Sequence, residues 1–499
     1  MSSVPPLFRS VLIANRGEIA VRVMRTCRDL GIRTVAVFSD ADVGAPHVRL
    51  ADEAYPIGPA AASESYLRAD RIIEVAKRTG CDAIHPGYGF LSESADFAES
   101  VAAAGLVFIG PPAQVQRALG EKTSARRIAR EAGVPIAEGT MDPVADEQAA
   151  AEVAARVGYP ILLKPAGGGG GKGMRVVRGP DELASAWRGA TGEATSAFGA
   201  PALLVERYLE GARHVEVQLI ADQHGAVVAL GERDCSIQRR HQKLIEETPG
   251  PSVDAQLRGR LVSAATAIAV AAGYVNAGTA EFLVTPDGGF VFLEVNTRLQ
   301  VEHPVTELVT GLDLVALQLR VAAGERLPFS QREIRSQGAA IECRITAEDA
   351  YAEFLPSAGR LGMVRLPAGP GIRVDTGIES GLVVPTEYDP LLAKIVAWGP
   401  TRDVAISRLR RALAETVIAG IPTVVPFHQH VLADPDFRAG RYDTSYVARQ
   451  WHGQTVDLEG TALTAAAVAA VLTQRGRERH AAPADSSAWT QAARADVLR

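Results

Sequence analysis

Lysine is scarce in this 499-residue chain: of 52 Lys and Arg residues, six are lysines, at positions 77, 122, 164, 172, 243 and 394. Arginine has taken over wherever a general positive charge suffices. The retained lysines are therefore candidates for work that needs a compact ammonium, with mutational chance as the alternative for any one of them. Basic charge is also short overall, since 58 acidic residues leave a net charge of −6. That argues against nucleic acid or an anionic membrane as principal partner. There are four cysteines, Cys27, Cys81, Cys235 and Cys343, and no C-x-x-C pair. They read as reduced, buried side chains rather than a metal or redox motif. No strongly apolar run reaches the roughly 18 residues of a membrane span; the Ala-rich stretch 461–472 is too short and reads as a helix. The first residues, MSSVPPLFRS, lack the apolar core of an export signal, so the expected location is cytoplasmic.

Hydrophobic residues at 47% and charged residues at 22% describe a globular chain. Its length suggests about three domains at roughly 150 residues each. Residues 9–40 read strand, helix, strand, with Ile19, Val23, Met24, Cys27 and Leu30 at helical spacing between two apolar runs. Further short strands at 82–85 and 106–109 make this a parallel α/β unit. Its first turn, Asn15-Arg16-Gly17-Glu18, has one glycine where a dinucleotide fingerprint needs three, so a dinucleotide site is disfavoured. A helix over 121–133, a strand at 160–164 and an extended MRVV segment follow. Two antiparallel hairpins are expected over 213–300, with a helix between them. A third unit begins near 338, with strands at 339–345, 372–375 and 393–398, and a polar tail closes the chain.

Gly167 to Gly171 are consecutive, flanked by Lys164 and Lys172. Glycine backbones can close tightly around phosphate oxygens. A Walker A loop would need glycine at 166 and Ser or Thr at 173, but the chain has Ala166 and Gly173, and a strand follows where a helix is required. A glycine flap over a triphosphate fits better than a P-loop; a flexible linker is the bland alternative.

Glu281 and Glu294 carry the most chemistry. In a hairpin closed about residues 286–289 they fall opposite each other on one face, with Asn296 two residues on. Two carboxylates about 5 Å apart repel by roughly 3 kcal/mol at an effective dielectric near 20. A bridging Mg²⁺ or Mn²⁺ would relieve that, and oxygen-only ligands suit either ion. A one-residue slip or splayed, exposed acids would remove the site. Two further segments are unusually polar: 232–243 (ERDCSIQRRHQK) and 296–304 (NTRLQVEHP). Arg298 and Lys243 could hold a small anion beside Glu302 as a base. A solvated charged loop is the alternative for the first segment. His303 before Pro304 reads as a turn residue. His214 shares a strand face with Glu216 and is either a nucleotide contact or a plain sheet histidine.

These strings resemble the biotin carboxylase family of ATP-grasp enzymes along residues 9–446. The matching segments are LIANRGEIA, HPGYGFLSE (85–93), GGGGGKGM, RHVEVQ (213–218), RDCSIQRRHQK, EVNTRLQVEHPVTE (294–307), IECRITAED (341–349) and YDPLLAKI (388–395). The resemblance implies a Rossmann-like N-terminal domain (1–120), an ATP-grasp core (121–337) whose glycine-rich lid covers about 137–207, and an α+β C-terminal domain (338–450). Residues 451–499 would be a partly helical tail, a candidate docking segment. It implies ATP contacts from Lys122, Lys164, Gly168, Gly169, Gly170, Gly171, Lys172, Glu206, Leu209, His214, Gln238, His241, Glu281 and Glu294, and two Mg²⁺ or Mn²⁺ ions on Glu281, Glu294 and Asn296. Lys243, Arg298, Gln300 and Val301 would hold bicarbonate and Glu302 would deprotonate it. Arg344, with Tyr88 nearby, would stabilise the biotin ureido anion. Lys394 gains no role. Lys172 and Arg207 stand where some relatives carry arginine and lysine, which keeps the charge.

The family's biotin attachment signal is Met-Lys-Met, and none of the five methionines precedes a lysine. The resemblance therefore implies biotin on a separate carrier protein, a partner that supplies the carboxyltransferase, and a homodimer, with no nucleic acid or membrane partner. The implied reaction is carboxylation of that biotin from ATP and bicarbonate through carboxyphosphate. Another ATP-grasp ligase joining a carboxylate to an amine, or a non-enzymatic nucleotide-binding scaffold, are the rival readings. Lys243, Arg298, Glu302 and Arg344 distinguish the carboxylase from both.

Overall fold

The computed structural model describes residues 7–166, 173–198 and 202–453. The glycines 167–171, Lys172 and the tail beyond residue 453 lie outside the described residues. Five strands, β1 (Ser10–Ile13), β2 (Arg33–Ser39), β3 (Glu53–Gly58), β4 (Ala83–His85) and β5 (Val107–Phe108), form a parallel sheet in the order β3-β2-β1-β4-β5. The helix Gly17–Asp29 packs on it through Ile19, Val23, Met24 and Cys27, all buried. Asn15 at the end of β1 donates to the carbonyls of Pro86 and Tyr88 at 2.7 and 2.8 Å and so pins the HPGYGF loop. Gly87 must be glycine there: its φ is +64° and a Cβ would stand 2.9 Å from the Asn15 amide.

A small antiparallel layer follows: β6 (Ile161–Pro165) at the centre, β7 (Arg175–Val177) and β8 (Leu203–Arg207) at its edges. The helices Glu147–Val157 and Pro180–Phe198 accompany it. Then come β9 (Arg213–Ala221), β10 (Val227–Arg239), β11 (Gln242–Thr248), β12 (Asn276–Val284), β13 (Phe290–Asn296), β14 (Ala339–Thr346), β15 (Ile372–Thr376) and β16 (Leu391–Gly399). These eight form one sheet, in the order β13-β12-β9-β10-β11-β14-β16-β15, with every neighbouring pair antiparallel. The sheet runs unbroken from residue 213 into the segment that begins at 338.

The charged stretch 232–239 is not a solvated loop. It is the second half of β10, and Arg233, Asp234, Cys235 and Ser236 are all buried. Burial is tolerated because each polar group has a partner. Arg233 donates to Glu216 at 2.5 Å and Gln218 at 2.7 Å, and Asp234 accepts from Arg213 at 3.0 Å and Ser236 at 2.6 Å.

The β12–β13 hairpin closes through Thr285–Gly289, with 2.9 Å bonds from Thr285 N–H to Gly289 O and from Gly288 N–H to Thr285 O. Next to this turn Phe282 pairs with Phe292. A bulge between Phe282 and Glu281 then shifts the pairing by one residue, so that Glu281 faces Glu294 and Thr279 faces Asn296. Without the bulge, Glu281 would face Leu293 and Glu294 would turn to the other side of the sheet.

Candidate active site

A cavity of about 480 Å³ opens between the small antiparallel layer and one face of the large sheet. Lys122, Lys164, Glu206, Leu209, His214, Gln238, His241, Lys243, Glu281, Glu294, Asn296, Arg298, Gln300, Val301 and Arg344 all line it. One wall, with Leu162, Met174, Val176, Leu209, Leu283, Val291 and Leu293, is apolar and suits a flat heterocycle. Tyr88 is not among the lining residues. Its ring lies 5.8 Å from the Lys394 ammonium.

Register places three glutamates side by side on adjacent strands: Glu294 on β13 faces Glu281 on β12, which faces Glu216 on β9. Arg233 on β10 ends the row opposite Glu216. Such a row of like charges is costly unless cations sit among it. The Lys243 ammonium is one of them. It donates to Glu216 at 2.5 Å, Glu281 at 2.8 Å and Glu302 at 2.7 Å. Burial works against its charge, but the three carboxylates outweigh burial and raise its pKa well above the ordinary lysine value. Burial likewise opposes ionisation of Glu281 and Glu302. Lys243 with His214 nonetheless holds Glu281 far below the usual carboxylate range, and Lys243 with Arg344 and Arg233 does the same for Glu302.

Glu302 is fully buried (0% exposed) and reaches the cavity only through its partners: Lys243 on one oxygen and Arg344, at 2.8 Å, on the other. The turn that carries it is fixed at several points. Arg298 donates to Gln300 at 2.7 Å and to Asn296 at 3.0 Å, Gln300 donates to Glu281 at 3.0 Å, and the buried Lys394 ammonium donates to the Val301 carbonyl at 2.9 Å. His303 starts the helix His303–Thr310 with its Nδ1 2.7 Å from Gln300 O, a turn role as its position beside Pro304 suggested. His214 Nε2 lies 2.8 Å from Glu281 Oε2, so it is both a sheet histidine and a cavity residue.

Lys122 and Lys164 stand apart from this knot. Lys122 donates to Pro165 O at 3.0 Å, and Lys164 lies 3.7 Å from Glu206, which Arg126 also binds at 2.6 Å. Burial, helped by the neighbouring Lys164, lowers Lys122 to about 8. Across the cavity Glu294 makes no hydrogen bond among the described residues, and burial beside Glu281 raises its pKa. Glu294 brings an unpartnered carboxylate beside Glu281, whose oxygens meet Lys243, Asn296, Gln300 and His214, and beside the Asn296 amide oxygen, which accepts from Arg298; this oxygen-only set suits a hard divalent cation that takes the place of some of these contacts. Lys243 compensates the Glu216 and Glu302 oxygens, which lie within 4.8 Å of each other and of the Cys235 thiol, as it does Glu281.

At the cavity mouth β10 turns into β11 through Arg240 and His241, with φ of +49° and +69°. Neither residue is glycine, so this tight turn is strained. It presents His241 to the cavity. Among the residues bonded to those that line the cavity, Glu216, Glu246 and Lys394 had no role assigned from sequence. Only Glu216 had a readable signal, its alternation with His214. Glu246 is one of two adjacent acids, with Glu247, at the end of a short strand, and Lys394 stood out only as a rare lysine.

A parallel α/β layer, a small antiparallel layer bearing a glycine run, and a large antiparallel sheet set with facing acids define an ATP-grasp enzyme. Residues 121–330 match the carbamoyl-phosphate synthase L chain ATP binding domain. Residues 7–116 match the biotin carboxylase N-terminal domain, and residues 342–449 match the biotin carboxylase C-terminal domain. The chain is 50% identical over 445 residues to biotin carboxylase of Haemophilus influenzae, covering 89% of this chain and 99% of that one. It is 52% identical to the alpha chain of mitochondrial methylcrotonoyl-CoA carboxylase of Oryza sativa over 88% of its own length, and there spans 60% of the longer protein. The biotin carboxylase domain dimer of Hydrogenobacter thermophilus 2-oxoglutarate carboxylase, solved with MgADP, ADP and bicarbonate, superimposes with a TM-score of 0.88 at 44% identity, covering 90% of this chain and 99% of that one. The chain belongs to the biotin carboxylase family.

Proposed function

We propose that this chain carboxylates biotin held on a separate carrier, using ATP and bicarbonate, as the first half-reaction of a biotin-dependent carboxylase. The observation that carries this reading is Glu302, a buried carboxylate gripped on one oxygen by Lys243 and on the other by Arg344, beside the facing pair Glu281 and Glu294. Lys122 and Lys164 take the ATP phosphates, and Gly168, Gly169, Gly170, Gly171 and Lys172 are the proposed further phosphate contacts. Glu206, Leu209, His214, Gln238 and His241 border the nucleotide. Glu281, Glu294 and Asn296 hold Mg²⁺ or Mn²⁺, which when bound offsets charge on the phosphate oxygens. Lys243, Arg298, Gln300 and the Val301 backbone seat bicarbonate against Glu302.

Glu302 takes the bicarbonate proton, and the freed oxygen attacks the γ-phosphate, giving carboxyphosphate and ADP. A base held this far below the ordinary carboxylate range is always ionised near neutrality. It is a weak base until bicarbonate displaces Lys243 from its oxygen, which ties proton transfer to occupancy of the anion site. Carboxyphosphate breaks to CO₂ and phosphate, phosphate takes the ureido N–H proton, and Arg344 stabilises the ureido anion that attacks CO₂.

Relatives named for methylcrotonoyl-CoA and 2-oxoglutarate carboxylation, and one named simply biotin carboxylase, stand at similar distances, 44 to 52% identity. That spread supports the reading that a carboxyltransferase partner, and not this chain, chooses the final acceptor. A homodimer is the proposed assembly, by likeness to the dimeric relative. Purified protein given MgATP and bicarbonate, with and without free biotin, tests the reading by ADP release and carboxybiotin formation. Turnover that needs an amine in place of biotin would instead identify an amide-forming ligase.

A further inference from the structure

Strands β11 and β14 set Glu246 and Glu342 directly opposite each other, and β16 sets Lys394 opposite Arg344 on the same face. Both glutamates are fully buried. Glu246 accepts from Arg344 Nε at 2.5 Å, while its second oxygen and both oxygens of Glu342 have no hydrogen-bond partner among the described residues. Arg344 is thus gripped at Nε by Glu246 and at NH2 by Glu302, from two separate elements. Its remaining terminal nitrogen, NH1, has no protein partner among the described residues, and the side chain lines the cavity.

We propose that Glu246 is the positioning residue of Arg344, holding its Nε so that NH1 meets the ureido oxygen of biotin, and that it serves the biotin half of the reaction and not ATP cleavage. This rests on the reading above that Arg344 contacts biotin. Two facing carboxyls in one sealed space cannot both ionise cheaply. Burial keeps Glu342 protonated, which leaves the charge to Glu246. Burial raises Glu246 to about 7, with Arg344 pulling it only part of the way back. The charged and titratable groups facing it are Arg344 and Glu342 on β14, Cys343 beside them, Lys243 on its own strand, Cys235 on β10, Glu302 on the turn and Lys394 on β16. Above pH 7 Glu246 is an anion that locks the guanidinium; below it the acid is neutral and the grip slackens.

The test is Glu246→Gln in the full chain, alongside Arg344→Gln. With free biotin, Glu246→Gln should lower kcat/KM for biotin about tenfold, while biotin-independent, bicarbonate-driven ATP cleavage stays within about twofold. Wild-type biotin carboxylation should carry an acidic limb near pH 7 that is absent from its biotin-independent ATP cleavage and absent from the variant. In a Glu246→Gln, Arg344→Gln double variant the two losses should not add. Equal losses in both reactions, or no loss while Arg344→Gln is crippled, overturn the positioning role. Intact carboxylation in Arg344→Gln would instead overturn the assignment of Arg344 to biotin. If Glu246→Gln fails to fold, the two wild-type pH profiles decide: coincident limbs refute the proposal.

Discussion

Replacing Lys243 with methionine would strip one cation from three buried acids, and the structure sets both the size and the pH dependence of the result. At an effective dielectric near 20, a pair about 3 Å apart gains roughly 5 to 6 kcal/mol, so three such contacts total about 16 kcal/mol. Desolvation of the ammonium takes back much of this, and in the variant the buried acids take up protons instead of staying charged, which limits the loss further. The net expectation is the usual loss on breaking a buried pair, about 3 to 5 kcal/mol near neutrality. At roughly 1 °C per kcal/mol for a chain of this size, Tm should fall by about 3 to 5 °C. The sign of the pH dependence follows from where the protons go. In the wild type Glu281 and Glu302 are held below their unfolded value near 4.5, so their contribution is full above that value and is lost as pH falls. In the variant these acids and Glu216 would sit above it, binding protons on folding and losing stability as pH rises. The Tm gap between the two proteins should therefore be small at pH 5 and widest at pH 8, as calorimetry across that range would read. A gap independent of pH would refute the claim that Lys243 acts as counterion to this cluster.

Glu281→Gln and Glu294→Gln should each raise the Mg²⁺ concentration needed for half-maximal bicarbonate-driven ATP cleavage by at least about tenfold; unchanged metal titrations would remove the facing-acid site. With Lys122 lowered to about 8, kcat/KM for ATP should fall as pH rises through 8, and Lys122→Arg should push that limb to higher pH. Lys394→Met, losing the bond to Val301 O, should raise KM for bicarbonate several-fold more than KM for ATP in steady-state kinetics.

Much of this was legible in the chain. The alternation in residues 213–300 announced two hairpins, and both are there. The pairing of Glu281 with Glu294 was legible too, although the real turn is shorter by one residue and the bulge beside Phe282 restores the register. A bulge has no reliable sequence signal, because it depends on what the neighbouring strand demands. The stretch 232–239 could not be told from a solvated loop, since polarity reads as exposure until the partners Glu216, Gln218 and Arg213 are known. Glu246 and Glu342 stayed hidden for the related reason that an acid within a strand says nothing of what it will face on the neighbouring strand, here Arg344 for Glu246.

Because β11 hydrogen-bonds β14 along residues 245–248, Lys243 and Arg344, the residues proposed for bicarbonate and for biotin, ride on one ribbon of backbone. Severing the chain near residue 337 would not release two working halves; it would bare the flank of β11, whose unpaired amides and carbonyls invite other chains to stack. The same continuity means that any hinge for opening and shutting this enzyme must lie elsewhere, since the ribbon cannot flex without tearing Arg344 from Glu302.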